Sequence, residues 1–199
     1  MSQARTLASS SPNPPNNLTF QTANTFNDLP FPDATFDIIF AHQVLLYIPN
    51  HLAAIREVRR VGKPSGLLAS REGHGVTFTW YPDLKSTLAL WRDSMAKMVT
   101  LVDGGSHTVA LHKWFREAGL DPTRMIKSTS TTSYSTPEEQ KWWAQLHKER
   151  IEKSNAQEKF LQAGMTEEQL AVIGQAMLDW ADDVDGIFAF IQYEVICQA

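Results

Sequence analysis

An α/β fold built on a largely parallel sheet is predicted by three observations. Phe36-Asp37-Ile38-Ile39-Phe40-Ala41 is a compact apolar run rich in β-branched residues. Leu52, Ile55, Val58 and Val61 then repeat near helical spacing, and Leu67-Leu68-Ala69-Ser70 resumes an apolar run after the break at Lys63-Pro64-Ser65-Gly66. Strand, helix, turn and strand in succession make a βαβ unit, whose strands run parallel and whose crossover is right-handed.

Each element has its own signal. Met1 to Ser9 reads as a short helix, and Ser10-Ser11-Pro12-Asn13-Pro14-Pro15 ends it, because proline cannot continue a helix. Leu18-Thr19-Phe20-Gln21-Thr22 reads as a short strand, and Leu29-Pro30-Phe31-Pro32-Asp33 as a loop. The 36–41 run, with no polar alternation, reads as a strand buried on both faces. Helices follow over Asp83–Val102 and Thr108–Ala118, the second stopped by Gly119, and then a Thr/Ser-rich strand over Met125–Tyr134. Thr136-Pro137-Glu138-Glu139 and Thr166-Glu167-Glu168-Gln169 are helix starts, with threonine caps, acids in the first turn and a partner side chain three residues on. Residues 136–183 form a helical segment within one domain spanning 1–199, and the alternating Ile187–Ile196 makes a last strand.

Composition sets bounds. The chain has 199 residues, 43% apolar, enough for a sizeable core. Lys+Arg at 18 against Asp+Glu at 22 gives a net charge of −4, with no long-range pull toward nucleic acid or an anionic membrane. A single cysteine, Cys197, excludes an intrachain disulfide framework and any Cys-based zinc ribbon. The first residues lack an apolar signal core, and no stretch approaches the roughly 18–20 apolar residues that span a bilayer, so a cytoplasmic location is expected. His107 and His112 do not share a helix face, so no metal site is expected there. Trp80-Tyr81 lies just beyond a strand end, where open α/β sheets bind ligands, and lining and packing are equal readings for it. For Trp91, Trp114 and Trp142, packing is the expected role.

The stretch from Leu29 to Glu72 resembles the middle of a class I S-adenosylmethionine-dependent methyltransferase of the ubiquinone/menaquinone-biosynthesis-like small-molecule type. The elements carrying the likeness are Leu29-Pro30-Phe31, Phe36-Asp37, Glu57-Val58-Arg59-Arg60-Val61 and Lys63-Pro64-Ser65-Gly66, in the family's order and spacing. Ser65 stands where the family usually has glycine. The resemblance implies a Rossmann-like methyltransferase sheet, mostly parallel with an antiparallel last strand, carrying a helical insertion. It implies methyl transfer from S-adenosyl-L-methionine to a small molecule. It places Ala41, His42 and Gln43 at a strand end facing the methionine part of the cofactor, and Asn24 or Thr25 (with Asn27 as a further choice) at its adenine. His42 is then the expected base, and Glu72, His74, Trp80 and Tyr81 the expected lining of the substrate crevice.

One departure stands out. None of the ten glycines precedes Gly62, whereas the family's first strand ends in a glycine-rich turn that cradles the cofactor. The resemblance therefore implies an N-terminally shortened, incomplete sheet, with doubtful cofactor binding and a fourth family strand left as an open edge. Three remedies present themselves: Leu18–Thr22 pairs with Phe36–Ala41, a homodimer pairs the edges, or a partner subunit covers them. The alternative function is a non-methylating relative that binds a hydrophobic metabolite, as a cyclase, an isomerase or a companion subunit.

Overall fold

A computed structural model describes residues 2–14, 16–24, 29–83, 86–100 and 108–199. The helices are α1 (Ser2–Ser9), α2 (His51–Val61), α3 (Thr87–Thr100), α4 (Leu111–Glu117), α5 (Pro137–Lys153), α6 (Asn155–Gln162) and α7 (Glu167–Ala181). The strands are β1 (Phe36–His42), β2 (Gly62–Gly73), β3 (Thr79–Tyr81), β4 (Met125–Tyr134) and β5 (Ile187–Gln198). Among the described residues no helix is long and apolar enough to cross a membrane.

β1 pairs with β2 in parallel, and β5 pairs antiparallel with β2, β3 and β4. Four strands therefore point one way and the last points back, the mostly parallel sheet with an antiparallel final strand that the sequence predicted. The helix starts are also as read. Asn50 caps α2 through Ala53 N–H, and Thr136 and Thr166 each form a reciprocal capping box with Glu139 and Gln169. Gly119 ends the α4 region at φ +94, in the left-handed region that glycine adopts freely.

The Glu57…Arg60 pair of the α2 end explains itself physically. The Arg60 guanidinium bonds both Glu57 oxygens, Asp33, and the carbonyls of Leu29 and Phe31, while Glu57 accepts Leu29 N–H at 2.7 Å. One ion pair thus pins the 29–33 loop, and the Arg60 bond holds the Glu57 carboxyl below its ordinary range. Gly66 is required where β2 starts, because a Cβ there would lie 2.8 Å from Asp37 O. Ser65 costs nothing in backbone strain: the non-glycine residues at positive φ among the described ones are Ala34, Gln43 and Ser86.

Two sequence expectations fail. Residues 18–22 form no regular element and pair with no strand, so this remedy for the open edge is not used. β1 is not buried on both faces either: Ile38 and Phe40 are 67% and 61% exposed. An apolar run signals a buried strand only if something covers it, and among the described residues β1 pairs with β2 alone.

The two sheet faces differ. On one, Ile39, Leu68, Val195 and Cys197 pack against α2 and α4 through Ile55, Leu111, Trp114 and Phe115. On the other, α3, α5, α6 and α7 cover only one end, where Phe188 and Phe190 enter an aromatic core with Trp80, Trp91, Trp143 and Trp180. A polar strip follows, in which Arg71 bonds Ser130 and Glu194 while Thr132 accepts from Gln192. Strand alternation then puts Ile38, Phe40, Leu67, Ile126 and Ile196 together on the uncovered end of this face, all of them exposed.

Candidate functional site

The carboxyl ends of β1 and β2 meet the helical cap around a cavity of about 310 Å³. Gln43 and Gly73 supply its strand-end wall, and Leu46 and Tyr47 come from the turn after β1. Phe78, Tyr134, Trp143, Phe188 and Phe190 make it aromatic, and His147 and Arg150 reach in from α5. A second cavity of about 320 Å³ lies beside it, and Tyr47, Phe78, Met95, His147 and Arg150 line both. Volumes of this size, largely apolar with a few convergent polar groups, suit a small organic ligand.

The strand-end geometry rests on two contacts. Gln43 sits at φ +56, outside the comfortable region for a residue with a Cβ, and is locked there: its N–H donates to Arg71 O at 2.9 Å and its Oε1 accepts Gly73 N–H at 3.3 Å. A side chain at Gly73 would have to displace Gln43 and Phe190, since a Cβ would meet the Gln43 amide at 2.9 Å and the Phe190 ring at 3.0 Å. The second contact is Glu72. Its Oε1 accepts the N–H groups of Val44 and Leu45 and the Ser70 hydroxyl, and its Oε2 accepts Leu46 N–H, at 2.9–3.3 Å. Burial dominates its titration and pushes the carboxyl up, opposed by these hydrogen bonds.

Most of the expected lining residues lie away from this cavity. Glu72 is fully buried beneath the 44–46 turn and holds it in place; it lines no crevice. His74 turns aside, with Nδ1 3.1 Å from Thr108 Oγ1 and its ring against Tyr193. Trp80 is 7% exposed and packs on Phe188 at 4.9 Å, so packing prevails over lining. Tyr81 is exposed and contributes its carbonyl to Trp180 Nε1. His42 is exposed and stacks on Phe40, on the uncovered side of the strand end and outside the cavity. Ala41 is half-buried against the α2 side of the sheet, and Asn24 is exposed on the segment before residue 25. Thr25, Asn27 and His107 lie outside the described residues. Of the expected site residues, Gln43 lines the cavity.

The residues that sequence reasoning missed come chiefly from α5. Trp143, Leu146, His147 and Arg150 fall at helical i, i+3, i+4 and i+7 positions, so they share one face and line the cavity together. That spacing was visible in the sequence; what it faced was not. His147 stacks on Trp143 with centroids 4.1 Å apart and meets Trp91 edge-on at 5.4 Å. Burial among these rings pushes its pKa down to about 4, so it is neutral near pH 7.

Residues 1–70 match the family described as "Methyltransferase domain". Over that stretch the chain is similar to methyltransferases. A probable methyltransferase of Aspergillus luteorubrus is 28% identical over 191 residues, covering 92% of this chain and 66% of that protein. An uncharacterized methyltransferase of Schizosaccharomyces pombe is 28% identical over 183 residues, 91% of this chain and 64% of its own length. The 27-O-demethylrifamycin SV methyltransferase of Amycolatopsis mediterranei is 32% identical over 98 residues, 48% of this chain and 33% of that enzyme. This chain therefore spans just under two thirds of the length of the first two.

The family uses S-adenosylmethionine, and the described residues fit one flank of that group only. The resemblance puts Ala41 to Gln43 at a strand end beside it, and Glu72, the carboxylate at the end of β2, is buried and held by its own hydrogen bonds. No glycine precedes Gly62 to form the phosphate-type turn of a nucleotide cradle. A whole nucleoside site is not formed by these residues.

Proposed function

We propose that this chain is the acceptor-binding part of an S-adenosylmethionine-dependent methyltransferase whose substrate is a small hydrophobic molecule of the secondary-metabolite kind. The observation that supports it is the aromatic cavity at the carboxyl ends of β1 and β2, roofed by α3 and α5. Open α/β sheets bind ligands at that end of their strands. The family relationship supplies the reaction; the cavity wall supplies the preference for an apolar acceptor, with Gln43, Tyr47, His147 and Arg150 as its polar groups. These side chains bind and orient, and the aromatic walls exclude water from the acceptor. The non-methylating alternative is not favoured by the three curated relatives described above, each of which is named as a methyltransferase.

A covering polypeptide belongs to the same proposal. The open β1 edge and the exposed Ile38, Phe40, Leu67, Ile126 and Ile196 form an apolar surface next to the strand end that would flank the cofactor. A second copy or a separate subunit fits there, and sedimentation or light scattering distinguishes them.

Calorimetric titration of the purified chain with S-adenosylmethionine, followed by methyl-transfer assays on hydroxylated aromatic acceptors, tests the reading. Heat and product support it. Absence of heat at millimolar cofactor, with no gain on adding a co-purified partner, overturns it.

A further inference from the structure

His147 carries a hydrogen-bonding capacity that the fold does not use. Its Nδ1 lies 3.0 Å from Trp143 O, and a carbonyl can only accept, so Nδ1 bears the proton. The proton-free Nε2 is on the opposite edge of the ring, away from the α5 backbone. No protein group bonds it among the described residues, and the side chain lines both cavities. A neutral imidazole fixed in this way is an acceptor with no donor of its own to offer. Facing it across the junction are Tyr47 from the turn after β1 and Arg150 one turn along α5. The Arg150 guanidinium has no ion-pair partner among the described residues.

The two cavities also differ along their length. The first ends at Gln43 and Gly73, beside the strand end. The second is lined by Trp91, Ile151 and Phe160, by Ser154 and Asn155 where α6 begins, and by Lys159 in its last turn. The two share Tyr47, Phe78, Met95, His147 and Arg150, so a ligand that occupied both would lie against these residues, His147 among them.

We infer that the two cavities form one elongated site for an extended aromatic or polyene molecule, whose hydroxyl group donates a hydrogen bond to His147 Nε2. This rests on the acceptor-site reading above and deepens it by naming the substrate's shape and its polar handle. His147 is a recognition residue here: a group that stays neutral well below pH 7 accepts a hydrogen bond better than it takes a proton.

The probes are trans-4-hydroxystilbene and its fluoro analogue, followed by quenching of tryptophan emission in the full chain, without cofactor. The hydroxyl compound should bind roughly three- to tenfold tighter, the worth of one neutral hydrogen bond in an apolar site. His147→Leu should abolish that preference, and His147→Gln, whose amide oxygen can still accept, should keep most of it. Ala156→Phe, which fills the second cavity, should weaken both stilbenes and leave 2-naphthol unchanged. Near-ultraviolet circular dichroism checks that each variant folds. Equal affinity for the two stilbenes, a preference that survives His147→Leu, or no quenching at 1 mM probe overturns the inference. Because these binding assays contain no cofactor, stilbene binding in them together with no methyl transfer in a separate assay supplied with S-adenosylmethionine would defeat the proposed reaction while leaving this site intact.

Discussion

Replacing Glu72 tests whether a buried carboxylate builds the site wall. Glu72→Ala removes the acceptor of three backbone N–H groups and one hydroxyl, and two of those N–H groups belong to the buried Leu45 and Leu46. The bonds are long, at 2.9–3.3 Å, so each is worth about 1 kcal/mol rather than the upper limit for charged acceptors. The expected loss is about 3–4 kcal/mol, and the turn carrying Leu46 and Tyr47 should loosen with it. Glu72→Gln is predicted to cost about 1 kcal/mol or less. Its oxygen can replace Oε1 and keep three of the four bonds, while its NH₂ opposes Leu46 N–H and the cost of burying a charge disappears. The pH dependence has a definite sign. Burial raises the folded-state pKa above the unfolded value of 4.5, so the stabilising contribution of protonation is full below 4.5 and is lost as pH rises through the folded value. Wild type should therefore gain on Glu72→Gln as pH falls from 7.5 toward 5. Urea unfolding of the three proteins at both pH values measures all of this. Equal costs for Ala and Gln, or wild type gaining on Gln as pH rises, would refute the reasoning.

Further outcomes follow from other contacts. Lowering pH from 7.5 to 5 should destabilise wild type more than His147→Gln, by on the order of 1–2 kcal/mol, because the unfolded histidine (6.5) takes a proton that the folded one, at about 4, refuses; thermal melts compare them. Gly73→Ala should cost about 1–3 kcal/mol and weaken stilbene binding, since the new methyl displaces Gln43 and Phe190 from the cavity wall. Thr136→Ala should cost about 1 kcal/mol by opening the capping box of α5, read by urea unfolding. Phe40→Glu, on the exposed end of β1, should change monomer stability by less than about 0.5 kcal/mol; if a second copy covers that face, wild type should show concentration-dependent association in light scattering that the substitution abolishes.

Much of the fold was legible because its signals are local. Capping residues at Thr136 and Thr166 and the Gly119 stop act through neighbouring backbone and took effect where they stand, whereas residues 63–66, expected as a turn, already belong to β2, which starts at Gly62. α6 fell inside the expected 136–183 helical segment, but its separate start at the Ser154 cap was not singled out. The Leu18–Thr22 strand failed for the opposite reason: strand propensity decides nothing without an adjacent strand to bond. The site was less legible than the fold. That Glu72 follows an apolar strand is plain in the sequence, but its carboxylate turns under the 44–46 turn because three N–H groups there point inward, a fact of tertiary geometry. His147 could have been found from its i+4 position after Trp143, given the knowledge that α5 roofs a cavity.

The central place of β5 governs the order in which the molecule can assemble. β5 is the partner of β2, β3 and β4 alike, and it comes after all of them in the chain. On a ribosome the β1–β2 ladder and the α5–α7 packing could form as their residues emerge, but β3 and β4 would wait without a partner until residues 187–198 are made. During that interval the aromatic side chains of the cap stand ready without Phe188 and Phe190 to close on. Synthesis thus delivers the most hydrophobic surface before the strand that buries it, and the nascent protein depends on rapid completion or on a chaperone to bridge the delay.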